Sequence, residues 1–185
     1  MSGGVRVVFV RVVWDRQSIP LKLPGVRLFD LHIGPEPGHP YGRKGAALAG
    51  AWRQLATRQC TGMLIMDADV AVDPLDVSVM LNAIGNEPGV VWTAPVRLWP
   101  ESTQRPSWVW GHWDETGPSQ EPCEQPTTFS FGLTYLPRKA ISRAIRDGLE
   151  RWTFPGVDGR MSRAAVAARV PIRVVAGCWP KHLHF

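Results

Sequence analysis

The alternation of short apolar segments with longer helical segments is the feature of this sequence that most constrains its fold. Residues 5–13 are mainly β-branched and apolar, a composition typical of a buried strand. Further strands are predicted at 26–31, 62–67, 89–98, 127–136 and 171–176, and helices at 43–58, 74–84, 137–149 and 158–168. Because strands and helices alternate, we predict an α/β fold with a mostly parallel sheet flanked by helices.

The length and net charge of the chain limit the number of domains and the classes of partner that we expect. The 185 residues suit a single domain, and the formal net charge of +5 favours an anionic partner. The basic residues are dispersed, with no run of five, so a nucleic-acid partner is not expected. No signal peptide and no apolar stretch of membrane-spanning length are visible, so we expect a soluble, cytoplasmic protein without a transmembrane segment.

The strand predicted at 62–67 runs directly into two aspartates, Asp67 and Asp69. Nine Asp in 185 residues produce about 0.4 D-x-D motifs by chance, so the motif needs support from its context. Ligands of open α/β sheets bind beyond the carboxyl ends of the strands, where these two residues lie. Mg²⁺ and Mn²⁺ prefer carboxylate oxygens and commonly bridge them to substrate phosphates. The next aspartate, Asp73, precedes Pro74 and is predicted to cap a helix.

The segment GRKGAALAGAW, residues 42–52, together with the strand that ends in D-x-D, resembles the metal- and nucleotide-sugar-binding half of the GT-A glycosyltransferases. The resemblance is to the inverting family that includes many small bacterial transferases. It implies one GT-A-like (Rossmann-like) domain, with residues 1–98 as the nucleotide- and metal-binding half and residues 99–185 as the acceptor and catalytic-base half. The N-terminal half is abbreviated relative to that family, as if one helix were missing.

Two later segments extend the resemblance. FSFGLTYLPRKAI, residues 129–141, is similar to the strand and helix start beside the donor sugar, and FPGVDGRMSRAAVAARVPIRVV, residues 154–175, looks like the segment with the catalytic carboxylate. By this resemblance Asp158 is the general base, and the metal ion, Mn²⁺ or Mg²⁺, is bound by Asp69, His182 and His184. The residues that would contact the donor nucleotide and its phosphates are Asp30, Arg43, Lys44, Asp67 and Gly132.

Each of these residues also has a structural interpretation. Asp158 follows Pro155 and Gly156 and could serve only as a helix N-cap. Asp30 could be a turn residue, and two histidines near a terminus could be surface groups. The tryptophans of the irregular segment predicted at 99–126 could cover the core or stack on a sugar; those considered for acceptor contacts are Trp108, Trp110 and Trp113.

The function that these expectations favour is a metal-dependent glycosyltransferase of the hexosyltransferase type. It would move one sugar from a nucleotide-diphosphate sugar to a hydroxyl of a protein, glycan or lipid-linked acceptor, with inversion. Two alternatives stay open. A sugar-phosphate nucleotidyltransferase would carry a Gly-rich loop after its first strand, whereas Gly3 and Gly4 precede that strand here. A non-catalytic carbohydrate-binding protein could use the Trp-rich segment, although such modules are typically all-β.

Overall fold

A computed structural model gives the fold of the chain and describes residues 6–14, 27–33, 43–98, 107–109, 113–114, 117–118, 128–152 and 156–182. Its main element is a six-stranded sheet with the order β11-β5-β10-β3-β1-β2. The bounds of these strands are β1 Val7–Trp14, β2 Leu28–Ile33, β3 Gly62–Asp67, β5 Val91–Thr93, β10 Thr134–Pro137 and β11 Ile172–Val174. Both halves of the chain contribute strands to this one sheet.

The sheet is mixed, with more parallel than antiparallel pairs. Strands β2 and β3 flank β1 in parallel, and β11 pairs with β5 in parallel, whereas β10 is antiparallel to both β3 and β5. The fold is thus a mixed α/β domain, and the predicted fold class is confirmed.

Helices cover both faces of this sheet because β1 and β3 are apolar on both sides. Val10 and Ile65 face one core, and Phe9 and Leu64 face the other, with exposures of 1% or less. The first core is covered by three helices that we call the helical layer: α1 Lys44–Leu55, α3 Arg138–Arg146 and α4 Val157–Ala167. The second is covered by α2 Pro74–Asn86. None of the described helices is long and apolar enough to cross a bilayer.

A smaller sheet lies beyond the carboxyl end of β3. Its order is β4-β12-β6-β7, with the bounds β4 Val70–Ala71, β6 Val96–Leu98, β7 Ser107–Val109 and β12 Lys181–His182. A further pair is formed by β8 Trp113–Asp114 and β9 Gly117–Pro118. The chain segment that ends at His182 is therefore hydrogen-bonded to the strand that follows Asp69.

Several predicted boundaries were wrong. The strand expected at 89–98 is interrupted at Pro95, so that β5 belongs to the main sheet and β6 to the small one. The segment 99–126 was predicted to be irregular, but its described parts are strands. The strand predicted at 127–136 is confined to β10, and the helix predicted at 137–149 ends at Arg146, before a 3₁₀ turn at Leu149–Arg151.

Glycine at position 45 is required by the close packing of α1 against this 3₁₀ turn. A Cβ at Gly45 would lie 2.1 Å from the carbonyl oxygen of Leu149 and 2.7 Å from that of Trp152. We expect Gly45→Ala to lower the free energy of unfolding by about 3 kcal/mol, because backbone atoms must move. Gly50 of the same helix has no atom within 4 Å of such a Cβ, so Gly50→Ala is the matched control and should stabilise the protein by about 0.5–1 kcal/mol. Urea denaturation of both variants measures the difference.

The start of α2 is closed by a reciprocal pair of hydrogen bonds. The Oδ1 atom of Asp73 accepts from the backbone N–H of Asp76 at 2.9 Å, and Oδ2 of Asp76 accepts from that of Asp73 at 3.2 Å. The predicted cap at Asp73 is confirmed. Asp76 also accepts from the backbone N–H of Trp179 at 2.8 Å, and so connects α2 to the segment that leads into β12.

We expect Asp73→Ala to lower the free energy of unfolding by about 1 kcal/mol, because one helix N–H loses its partner. Urea denaturation checks this value. Ser78→Ala, at an exposed position of the same helix, is the control and should change stability by less than about 0.5 kcal/mol. Equal effects of the two substitutions would contradict a role for the cap.

Candidate active site

A buried ion pair joins the end of β3 to the start of α1. Lys44 is the first residue of α1, and its side chain is only 1% exposed. Its Nζ atom lies 2.8 Å from Oδ1 of Asp67, the last residue of β3. The Asp67 side chain is 20% exposed and is thus reached by solvent from one side. The first aspartate of the D-x-D motif therefore has an internal cation as its partner.

Asp158 approaches the same ammonium from the helical layer. Its Oδ1 atom lies 3.6 Å from Nζ of Lys44, and its Oδ2 atom accepts a hydrogen bond of 3.1 Å from the backbone N–H of Phe131. The N-cap of α4 is Gly156, and Asp158 lies within the first turn of that helix. The interpretation of Asp158 as a helix N-cap was therefore wrong, because its carboxylate points towards Lys44 and Phe131 and does not close the helix.

The segment 129–133 holds these groups together through its backbone. The carbonyl oxygen of Phe131 accepts from the backbone N–H of Asp67 at 2.9 Å, while its N–H donates to Asp158. The Phe131 ring also lies 4.6 Å below Nζ of Lys44, a cation–π distance. Gly132, predicted to contact the donor, is the next residue and is buried in the bend that follows. The backbone of Phe131 thus links Asp67 and Asp158 by hydrogen bonds.

Ser162 fixes this segment to α4. Its Oγ atom accepts from the backbone N–H of Phe129 at 3.0 Å and donates to the carbonyl oxygen of Asp158 at 2.9 Å. Neither Phe131 nor Ser162 was identified from the sequence. The sequence spacing could have identified Ser162, because it lies four residues after Asp158 in a predicted helix and therefore on the same side of that helix. Phe131 acts mainly through its backbone, which leaves no signal in the residue type.

The three charges shift each other's proton affinities. Burial lowers the pKa of Lys44, but the negative charges of Asp158 and Asp67 outweigh it, so that the pKa is raised and the ammonium stays protonated. For Asp67, burial raises the pKa to about 6, with Asp158 and Asp69 acting in the same direction and Lys44 opposing them. The positive charge of Lys44 thus keeps two neighbouring carboxylates together.

Lys44 was predicted to hold a phosphate of the donor. Its ammonium is enclosed by Asp67, Asp158 and Phe131, so direct contact with a phosphate would require these contacts to open. That role stays a prediction. Arg43 is the exposed residue before α1, and its predicted contact with the donor also stays a prediction.

Asp69 lies in the turn between β3 and β4 and is half-buried. Its Oδ1 atom is buried and accepts no hydrogen bond from the described part of the chain, and the residue makes another polar interaction. The backbone of His182 pairs with Val70, the residue directly after Asp69, which places β12 beside the D-x-D turn. The side chain of His182 and all of His184 lie outside the described residues. Among the described residues, no group of three His, Cys, Asp or Glu is placed to hold a metal ion.

Asp30 lies apart from this cluster. Phe29 and Leu31 pack into the core beneath the helical layer, so by strand alternation Asp30 faces the other side of the sheet. There its two carboxylate oxygens accept hydrogen bonds of 2.8 Å from Nε and Nη2 of Arg11. The contact of Asp30 with a nucleotide base stays a prediction.

The tryptophans proposed for acceptor contacts are mostly beyond what the structure describes. Trp108 lies in β7 and Trp113 in β8, where the backbone alone is described, and Trp110 falls outside the described residues. Their stacking on a sugar is untested.

Comparisons with known proteins give a fold but no family. No protein-family model and no curated protein matches the chain. Among solved structures it is similar to A197 from STIV, with a TM-score of 0.50 and 13% identity over 96% of this chain and 82% of that chain. It is also similar to Rv0371C from Mycobacterium tuberculosis H37Rv, a complex with manganese, at a TM-score of 0.44 and 14% identity over 98% and 95% of the two chains. The second similarity is too distant to carry an argument. The likeness to A197 supports the mixed α/β fold alone.

Proposed function

We propose that this chain is a metal-dependent glycosyltransferase that moves one sugar from a nucleotide-diphosphate sugar to an acceptor hydroxyl, with inversion. One observation carries the proposal: Lys44, Asp67 and Asp158 come from distant parts of the sequence and meet at the carboxyl end of β3. These are three of the residues that the resemblance to the GT-A glycosyltransferases selects. A ligand site at that end of the sheet also agrees with the general rule for α/β sheets.

Asp158 has the contacts that a general base needs. Its side chain is 30% exposed, so an acceptor hydroxyl can reach it from solvent. The contacts with Lys44 and Phe131 leave further lone pairs on both oxygens. In the proposed reaction the carboxylate takes the hydroxyl proton while the acceptor oxygen forms a bond to the anomeric carbon. The bond from that carbon to the nucleoside diphosphate breaks in the same displacement, which inverts the configuration.

The residues around Asp69 fit a divalent cation that is bound together with substrate. The buried Oδ1 atom of Asp69 offers one carboxylate ligand, and β12 brings His182 to the same turn. Because the described residues do not form a closed cage, the remaining ligands would be phosphate oxygens and water, as is usual for Mg²⁺. When bound, the cation supplies positive charge that stabilises the departing diphosphate.

The alternatives predict different products. A sugar-phosphate nucleotidyltransferase would join the nucleotide of a nucleoside triphosphate to a sugar phosphate, and the pyrophosphate of the triphosphate would leave. A carbohydrate-binding protein would release nothing, and the all-β fold typical of such modules is not found here.

A donor screen tests the proposal. The full chain is incubated with Mn²⁺ and a panel of nucleotide sugars, and released nucleoside diphosphate is measured with and without a chelator. We expect release with at least one donor, and loss of release when the metal is chelated. If the protein releases pyrophosphate when given a nucleoside triphosphate and a sugar phosphate, but releases no nucleoside diphosphate from any nucleotide sugar, it is a nucleotidyltransferase and the proposal is wrong.

We expect Asp69→Asn to lower kcat/KM for the active donor by about 100-fold, because the neutral amide is a weaker ligand for the cation. The matched control is Asp147→Asn, which removes one carboxylate from a surface ion pair with Arg143 and should leave kcat/KM unchanged. A rate that survives both chelation and Asp69→Asn would show that the reaction needs no metal at this position.

A further inference from the structure

Charged residues are divided unevenly between the two faces of the main sheet. Residues 43–60 and 138–170, which include the whole helical layer, contain twelve Lys and Arg against three Asp and Glu. Residues 68–95, which include α2 on the opposite face, contain four Asp and Glu and no Lys or Arg. Within these described segments, the positive charge is therefore concentrated on one face of the main sheet.

Most of the positive charge of residues 43–60 and 138–170 is not neutralised locally. Of the three acids in these segments, Asp158 belongs to the candidate active site, Asp147 pairs with Arg143 and Glu150 pairs with Arg53. Among the described residues, five exposed cations of α3, α4 and the turn after α4 make neither an ion pair nor a side-chain hydrogen bond. We call them the basic face: Lys139, Arg146, Arg160, Arg163 and Arg169.

Helical spacing places four of these cations on one surface, and Arg169 follows in the turn after α4. Lys139 and Arg146 are seven residues apart on α3, on the side away from its buried Ala140 and Ala144. On α4, Arg160 and Arg163 are three residues apart, and the buried stripe of that helix is formed by other positions: Val157, Met161, Ala164 and Ala165. Since α3 and α4 pack into the same core, their outward sides are adjacent.

We propose that the basic face binds the surface of an anionic lipid bilayer. Each Lys or Arg held near such a surface strengthens binding by about fivefold, so several cations on one side suffice for peripheral attachment. The anionic bilayer would repel the acidic residues around α2, and this repulsion would give the bound molecule a single orientation. Val166 of α4 is 52% exposed on the same side and adds an apolar contact.

A bilayer fits this face better than nucleic acid. Proteins that bind single strands combine a basic groove with exposed aromatic side chains on which bases stack. The two tryptophans described in and beside the helical layer, Trp52 and Trp152, are each only 7% exposed. The cations of the basic face lie on the outward sides of two helices, a broad arrangement that suits an extended charged surface.

Vesicle sedimentation tests the proposal without any sugar substrate, so its outcome is independent of the proposed transferase activity. The full chain is mixed with vesicles of phosphatidylcholine alone and with vesicles of phosphatidylcholine and phosphatidylglycerol, at low and at high salt. We expect binding only to the vesicles that contain phosphatidylglycerol, and weaker binding as salt rises.

Paired variants locate the surface. Arg146→Gln/Arg163→Gln should weaken vesicle binding by about 30-fold, the product of two fivefold losses. Arg173→Gln removes one charge from the opposite face of the sheet, where Arg173 pairs with Glu87 beside Trp92, and should change binding by less than about threefold. All three substituted side chains are exposed, so circular dichroism should show unchanged folding of both variants. Equal losses in the two variants, equal binding to both vesicle types, or binding to a DNA oligonucleotide in place of vesicles would each overturn the proposal.

Discussion

Replacing Asp158 with asparagine is expected to lower the rate of sugar transfer by about 10³-fold while donor binding is retained. Asparagine has nearly the same shape, so its side-chain oxygen can still accept the hydrogen bond from the backbone N–H of Phe131. An amide cannot take the proton of the acceptor hydroxyl. The expected signature is therefore a fall in kcat with little change in the Kd of the donor, measured by steady-state kinetics and calorimetry.

The control for this substitution is Asp147→Asn, which changes the charge equally but at the exposed residue that follows α3. It should leave both kcat and donor binding near the wild-type values. A rate for Asp158→Asn within about threefold of wild type would exclude a catalytic role for Asp158. In that case the carboxylate would serve only to hold Lys44 and the segment 129–133 in place.

Replacing Lys44 with methionine is expected to lower the free energy of unfolding by about 3–5 kcal/mol at neutral pH. Methionine occupies similar space, but Asp67 and Asp158 would then face each other without the cation between them. Urea denaturation measures the loss. The exposed Lys139 provides the matched control, and Lys139→Met should change stability by less than about 0.5 kcal/mol.

The effect of Lys44→Met should depend on pH in a defined direction. Burial holds the folded-state pKa of Asp67 at about 6, above the unfolded value of 3.8, so the folded chain binds more protons between these values. Loss of the cation raises this pKa further, and protonation then removes the uncompensated charge. The stability deficit of the variant should therefore shrink as pH falls from about 7 to about 5. A second substitution, Lys44→Met/Asp67→Asn, should recover part of the loss at pH 7.

A deficit of less than about 1 kcal/mol that does not change with pH would contradict this account of the buried pair. For wild-type protein, the raised pKa of Lys44 contributes stability that is present below pH 10.5 and is lost as pH rises above that value. Alkaline titration of wild type and Lys44→Met therefore gives an independent measurement, because only the wild type should show this loss.

Local patterns in the sequence were sufficient for several elements. The strand predicted at 62–67 has the same bounds in the structure, because an apolar run ends there at Asp67 and the polar turn begins. The helix start after Asp73 was also correct, since capping depends on residues within four positions of each other. The alternation of strands and helices was sufficient for the fold class.

Other elements depended on contacts that a local pattern does not contain. The segment 127–136 reads as one strand, yet only Thr134–Pro137 pairs with the sheet, because residues 129–133 turn towards Asp67 and Asp158. Likewise, β10 runs antiparallel to both β3 and β5, a direction that depends on pairing with strands distant in the sequence.

The sequence and the tertiary structure also decided different features of the candidate active site. The sequence supplied the candidate groups, the aspartates of D-x-D by their residue type and position, and Lys44 and Asp158 by the resemblance to the GT-A glycosyltransferases. Only the tertiary structure decided that Lys44 is buried between two of these carboxylates, and that Asp30 faces the opposite side of the sheet with Arg11. The physical reason is that residue type and spacing act over a few positions, whereas burial and charge pairing depend on which distant strands and helices pack together.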